Sequence, residues 1–238
     1  DITSEIEKAQ ILIVNTCAFL TESRKEAIET IIESAGYENV EKVVVTGCLP
    51  QKYIDELRDT LTEADVFLGI NDYDKIFDAL ESSYNGNRVN YVGCGNGGYI
   101  GDRILTTPSH YAYLKIADGC NNRCTYCLIP EIRGKYVSYP IEKLVAEAEK
   151  LGDVSELILV AQDVTRYGID LYGQKNLIKI LQKLTALVNI KSVRLLYCYP
   201  EMIDDGLIEE IKSNNKIIKY VDIPLQHIEN RILKLMNR

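Results

Sequence analysis

The chain has 238 residues, 46% hydrophobic and 26% charged, which is ordinary for a globular protein of one large or two modest domains. Its formal net charge of −8 argues against a broad nucleic-acid-binding surface. No apolar run approaches the roughly 20 residues that span a bilayer, and the opening DITSEIEKAQ lacks the pattern of a signal peptide. We therefore expect a cytoplasmic protein with no membrane partner.

The first part of the chain alternates short apolar segments, which predict buried strands, with amphipathic segments, which predict helices. The predicted strands lie at 11–17, 40–48 and 64–70. The predicted helices follow them, at 18–36, 51–61 and 72–83. This alternation indicates a parallel sheet, in which ligands gather at the carboxyl ends of the strands. Cys17 and Cys48 each end a predicted strand, so we expect both thiols at the same rim.

A second alternating series fills the rest of the chain. Its predicted strands lie at 111–120, 156–163, 192–200 and 217–226. Its predicted helices lie at 140–152, 176–188, 205–214 and 229–238. Four such units make half of an eight-unit barrel. The chain also starts without Met and stops in a helix, so we expect a core fragment of a longer protein.

The composition divides these two series. Residues 84–110 are rich in Gly and Asn and predict an interdomain segment. The sequence therefore predicts an α/β protein with an N-terminal parallel-sheet domain at 1–83 and a partial (β/α) barrel at 111–238.

The stretch DGCNNRCTYCLIP directly follows the first strand of the second series and holds Cys120, Cys124 and Cys127. Clustered cysteines in a reducing cytosol indicate metal or redox chemistry. Structural zinc usually takes four ligands, and a thioredoxin-type motif needs only two cysteines. An iron–sulfur cluster held by three thiolates keeps one iron open for a substrate. This spacing therefore favours an iron–sulfur cluster over zinc or a redox disulfide.

The same stretch resembles the radical S-adenosylmethionine (SAM) enzymes. The resemblance implies a full or partial (β/α) barrel and a [4Fe–4S] cluster whose open iron binds the amino and carboxylate groups of SAM. It also implies that the reduced cluster cleaves SAM to methionine and a 5′-deoxyadenosyl radical. The fourth ligand of the cluster would then be the cofactor itself.

Longer stretches, among them VNTCAFLTESRKEAIETI, VTGCLPQKY and DIPLQHIENRILKLMNR, resemble the methylthiotransferases within that superfamily. The resemblance implies that Cys17 and Cys48 are two of three ligands of an auxiliary cluster, the third lying upstream of this chain. An intact enzyme would hold two [4Fe–4S] clusters, and we expect one here. NTCAFLTESRKE and YGIDLYG resemble the subclass that adds a methylthio group to the β-carbon of an aspartate in a small-subunit ribosomal protein.

Two other functions stay open at this point. The first is methylthiolation of a tRNA adenosine, which the acidic charge disfavours weakly. The second is a non-catalytic iron–sulfur or zinc protein. The sequence does not identify an electron donor.

Four further residues are candidates for cofactor contacts by resemblance. Tyr126 would border the adenine of SAM, with simple packing as the alternative. Gln162 and Asp163 would meet the amino group, although Asp163 could equally cap a helix. Arg133 would meet the carboxylate or lie in solvent. Four remaining residues are interpreted as incidental or structural: Cys94, Cys198, His110 and His227.

Overall fold

The computed structural model describes residues 2–93 and 103–238. The chain divides into two compact units, Asp1–Tyr99 and Ile100–Arg238. Among the described residues, no helix combines the length and hydrophobicity that crossing a membrane requires.

The first unit is a four-stranded parallel sheet with helical crossovers. Its elements are β1 (Ile11–Thr16), α1 (Thr21–Ala35), β2 (Lys42–Gly47), α2 (Cys48–Thr60), β3 (Val66–Leu68), α3 (Ile76–Tyr84) and β4 (Val89–Tyr91). The strand order follows the chain, β1-β2-β3-β4, with every pair parallel. Apolar side chains of β2, β3, α3 and β4 form the core between them. Strand β4 lies within the segment that the sequence predicts to connect the domains.

The second unit has a four-stranded parallel sheet of order β10-β9-β8-β5 and a separate pair, β6-β7. Its first elements are β5 (Tyr111–Lys115), β6 (Ala117–Asp118), α4 (Ile129–Arg133), β7 (Val137–Ser138) and α5 (Ile141–Glu149). They are followed by β8 (Val154–Val160), α6 (Ile169–Tyr172), α7 (Leu177–Ala186), β9 (Ile190–Leu195), α8 (Asp205–Ser213), β10 (Ile217–Val221) and α9 (Asn230–Leu235). This alternation confirms the predicted α/β class with an open parallel sheet of barrel type.

The strand predicted at 111–120 is in fact two strands. Strand β5 pairs with β8 in the parallel sheet, whereas β6 pairs antiparallel with β7. The chain changes partner at Ile116, whose N–H still donates to Val160 and whose carbonyl accepts from Tyr139. The segment between β6 and β7 carries the three clustered cysteines.

Candidate functional site

Three thiols lie on the one loop that connects β6 to α4. Cys120 and Cys124 are nearly buried, at 6% and 7% exposure, and Cys127 is partly exposed. The Asn122 N–H donates to Cys120 Sγ at 3.4 Å, and the Cys127 N–H donates to the Cys124 carbonyl at 3.0 Å. Burial raises the pKa of the Cys120 thiol, and the charges of Asp163, Cys127 and Cys124 raise it further. The fold therefore gathers the three predicted ligands in a short, partly buried loop.

The donor set of this loop suits a cluster. Within residues 2–93 and 103–238, no three His, Cys, Asp or Glu side chains lie close enough together to hold one metal ion. Each thiolate of a [4Fe–4S] cluster binds a different iron. The three thiols therefore need not lie as close together as the ligands of one metal ion. Thiolates are also the ligands that iron–sulfur clusters prefer.

Gln162 and Asp163 follow the end of β8, close enough to the thiol loop for the charge of Asp163 to act on Cys120. The buried Oε1 of Gln162 has no hydrogen-bond partner among the described residues. An oxygen of this kind fits the ammonium group of a bound cofactor, since a buried acceptor without a donor is costly. Asp163 is fully buried, and its carboxylate accepts from Thr165 Oγ1 at 2.5 Å and Arg166 Nε at 3.4 Å.

The alternative interpretation of Asp163 as a helix cap requires its side chain to accept a hydrogen bond from a backbone N–H of the following turn, and the structure shows none. Asp163 precedes a single 3₁₀ turn, but its side chain accepts no backbone N–H of that turn. Its backbone carbonyl accepts from the Tyr136 hydroxyl at 2.8 Å. The residue thus joins the end of β8 to the segment that follows the thiol loop.

Tyr126 lies between the last two thiols in the sequence, and Arg133 ends α4 after them. Tyr126 is 42% exposed, and its pKa is raised by burial and then by the neighbouring Cys124. Arg133 Nη1 lies 3.1 Å from both carboxylate oxygens of Asp118. The guanidinium predicted to meet the SAM carboxylate is therefore engaged by an acidic residue of the protein.

A cavity of about 390 Å³ opens beside Cys124. Arg166 lines it and links the two sides of the site, donating to Asp163 and, through Nη2 at 3.3 Å, to Asn122 of the thiol loop. Tyr199, from the loop after β9, also lines it, and burial raises the pKa of Tyr199 to about 12. The Arg238 guanidinium lies 4.2 Å from the Tyr199 ring centre.

Sequence reasoning missed Arg166 and Tyr199, although a signal for both was present. Each follows a strand of the second series by a few residues, and ligands gather at the carboxyl ends of parallel strands. Arg166 is three residues beyond Asp163, within the QDVTRYG stretch. A search of the residues at and just beyond the ends of the predicted strands would have included both.

In the first unit, Cys17 and Cys48 follow a pair of residues that face each other in the sheet. The last aligned pair of β1 and β2 is Thr16 with Gly47, so the two cysteines leave adjacent strands side by side. Cys17 is exposed, and Cys48 is the first residue of α2 rather than the last of β2 as predicted.

Local packing requires this arrangement of the two strand ends. Gly47 has φ of +100°, and a Cβ there would lie 2.4 Å from the Thr16 carbonyl. The Thr16 hydroxyl donates to the Thr46 carbonyl at 2.6 Å and accepts the Leu49 N–H at 3.3 Å. It thereby satisfies an N–H group in the first turn of α2.

The residues that the sequence analysis interpreted as incidental or structural make ordinary packing and backbone contacts where the structure describes them. Cys198 is fully buried, and burial raises its pKa to about 12. The His110 ring packs edge-on against Tyr111, and His227 Nδ1 accepts the Glu229 N–H at 2.9 Å. Cys94 lies outside the described residues.

Comparison with known proteins places this loop in a family. The model of the radical SAM superfamily matches residues 114–238, more than half of the chain. The chain belongs to the radical SAM superfamily. Residues 1–69 match a second model, described as "Uncharacterized protein family UPF0004". Membership of the radical SAM superfamily confirms the prediction of SAM and an iron–sulfur cluster as cofactors, while the number of clusters and the individual site residues stay predictions.

Several curated relatives of this radical SAM chain are named ribosomal protein uS12 methylthiotransferase RimO. The protein from Clostridium tetani is 51% identical over the whole chain, and those from Clostridium botulinum strain Eklund 17B and Clostridium novyi are each 48% identical. The chain spans 55% of the length of each of these relatives.

Two solved radical SAM structures share the fold at low sequence identity. The methyltransferase TsrM from Kitasatospora setae, solved with cobalamin and a [4Fe–4S] cluster, aligns with a TM-score of 0.63 at 13% identity. The alignment covers 94% of this chain and 50% of the TsrM chain. The cobalamin-dependent enzyme OxsB aligns with a TM-score of 0.58 at 10% identity, covering 97% of this chain and 37% of its own.

Proposed function

We propose that this chain is the core of a radical SAM methylthiotransferase that modifies ribosomal protein uS12 at the β-carbon of an aspartate. The observation that carries the proposal is the 46–51% identity to RimO proteins, which extends over both units of the chain. Because the relatives are almost twice as long, activity, substrate and partners are proposed for the complete protein.

The residues of the thiol loop would hold the SAM-binding cluster. Cys120, Cys124 and Cys127 supply three thiolates and leave the fourth ligand position to SAM. When bound and reduced, the cluster would supply the electron that cleaves SAM to a radical, and that radical would remove a hydrogen atom from the substrate carbon.

Two residues near the thiol loop, Gln162 and Tyr126, would bind and orient the cofactor. Gln162 Oε1 offers a buried acceptor to its amino group, and Tyr126 offers an aromatic face beside Cys124. Burial of Cys120 and Cys124 shields two of the three ligand thiols from water.

Cys17 and Cys48 would contribute two ligands to an auxiliary cluster that delivers the sulfur. Their positions after the Thr16–Gly47 pair support this role, because adjacent parallel strands bring the two residues to one rim. The proposed reaction would consume two molecules of SAM, one as the source of the methyl group and one as the source of the radical.

The charge of the chain supports a protein substrate. A net charge of −8 attracts a basic ribosomal protein segment and repels the polyanion tRNA. A ribosomal substrate also places the enzyme in the cytoplasm, where the modification would occur. No contact in the described residues points to a particular electron donor.

The test replaces one ligand at a time under anaerobic reconstitution. We expect the parent to bind one [4Fe–4S] cluster in the thiol loop and, after reduction, to release 5′-deoxyadenosine from SAM. Cys124→Ala should lose that cluster and that release, whereas Cys198→Ala, a buried thiol outside the loop, should keep both. Iron and sulfide content with visible absorption measures the result, and unchanged iron in Cys124→Ala would refute the assignment.

A further inference from the structure

Asp118 ends β6, two residues before the first thiol, and is the charged residue around which the loop is anchored. Its carboxylate accepts from Lys115 Nζ at the end of β5 and from Arg133 Nη1 at the end of α4. It also accepts the Gly119 N–H at 2.8 Å. The Asp118 and Arg133 side chains are only 11% and 24% exposed, so water screens their attraction less than at the surface.

The backbone closes the loop weakly at the same place. The β6-β7 ladder has two residue pairs, Ala117 with Ser138 and Asp118 with Val137. Two further backbone bonds join the two sides: the Cys120 N–H donates to the Gly134 carbonyl at 3.1 Å, and the Tyr139 N–H donates to the Ile116 carbonyl at 2.9 Å. A ladder this short is marginal by itself, so side-chain contacts across the base decide how well the loop is held.

We propose that Asp118 and Arg133 form a clamp across the base of the thiol loop that fixes the spacing of Cys120, Cys124 and Cys127 for cluster binding. The inference rests on the proposed function only in that this loop binds a cluster. Asp118 is a positioning residue here, because its partners are Lys115, Arg133 and the Gly119 N–H, and it acts on the thiols through the backbone and α4.

The physical reason is the entropy of the loop. Three thiolates must take fixed separations when the cluster binds, and an unrestrained loop loses more conformational freedom in doing so. The clamp joins the residue before the loop to the last residue of α4, so the thiols lie between two fixed points. Removing it should leave the fold intact and make the cluster easier to lose.

This role differs from contact between Arg133 and the SAM carboxylate, and the two can be separated. As a clamp, Arg133 and Asp118 act as one unit, so either substitution weakens cluster retention and the double substitution adds little. As a SAM ligand, Arg133 affects SAM affinity and leaves cluster retention unchanged.

The experiment compares Asp118→Asn, Arg133→Gln and the double variant with the parent. Glu156→Gln is the matched control, since Glu156 forms a partly buried ion pair with Arg194 in the same unit, between β8 and β9 and away from the loop. Each reconstituted protein is challenged anaerobically with an iron chelator. We expect the three clamp variants to lose iron roughly tenfold faster than the parent, the lower end of the range for residues that orient metal ligands.

A second readout needs no cluster. In the cluster-free protein, hydrogen exchange at the Cys120–Cys127 amides should rise in the clamp variants and stay at the parental rate in Glu156→Gln. Parental iron loss and parental exchange in Asp118→Asn would overturn the clamp, as would an equal effect of Glu156→Gln. Failure of the parent itself to bind a cluster would refute the proposed function, and the exchange measurement would still decide the clamp.

Discussion

Two glycines beside the thiol loop share the same φ angle but differ in their surroundings. Gly119 and Gly134 both have φ of +74°, in the left-handed region. A Cβ on Gly119 would lie 2.2 Å from the Lys135 carbonyl oxygen, whereas a Cβ on Gly134 would have no atom within 4 Å. The first glycine is therefore required by close packing, and the second only by its φ angle.

This difference predicts unequal costs for the same substitution. Gly134→Ala should lower the free energy of unfolding of the second unit by about 1–3 kcal/mol, because φ of 74° with ψ of −156° is a conformation open almost only to glycine. Gly119→Ala should lower it by about 1–3 kcal/mol more than Gly134→Ala, because displacement of the Lys135 backbone adds a steric cost. Hydrogen exchange in β5 and β8 measures both, and equal losses in the two variants would contradict the packing argument.

At this scale the sequence identified the residue types but not their partners. The C-x3-C-x2-C spacing predicted the three thiols, which the structure places on one loop. The Asp118 contact of Arg133 depends on where α4 ends relative to β6, and spacing along the chain does not give that distance. The bond from Arg166 to Asn122 could not be predicted for the same reason, since it joins residues far apart in sequence.

At the scale of elements, helix α7 shows how the barrel unit is held together. Four of its apolar side chains form one buried stripe: Leu177, Ile180, Leu181 and Leu184. They recur at the three- and four-residue spacing of a helix face and pack in the core against the parallel sheet. Helix α8 also carries an isoleucine, Ile208, but this side chain is 53% exposed.

The two helices therefore predict different costs for removing the same side chain. Ile180→Ala should lower the free energy of unfolding of the second unit by about 2–5 kcal/mol, because it leaves a cavity in the core. Ile208→Ala should lower it by less than about 1 kcal/mol, since its side chain is already half solvated. Denaturant unfolding of the two variants provides the test, and a similar loss in both would show that α7 is not a core element.

The long elements were predictable and the short ones were not. Apolar patterns predicted β1, β2, β8 and β9 and the helices α1, α2, α5 and α7, because most of these elements bury several apolar side chains. Helix α6 has four residues between Gly168 and Gly173, both with positive φ, and is defined by those turns. Strands β6 and β7 have two residues each and depend on tertiary pairing, which no local pattern encodes.

At the scale of the whole molecule, the charge and the two units bear on the substrate. The acidic chain favours a basic protein partner, and the same chain covers both the radical SAM match and the second family match. The identity to uS12 methylthiotransferases extends over both units, so the proposal concerns the two together within a longer protein.

The most direct test of that proposal is mass spectrometry of ribosomal protein uS12 and of tRNA nucleosides, from cells with and without the gene. We predict that a methylthio group on a uS12 aspartate is present with the gene and absent without it, while tRNA nucleosides do not change. Loss of a methylthio-adenosine from tRNA, with uS12 unmodified in both strains, would contradict the proposal and assign the chain to tRNA modification.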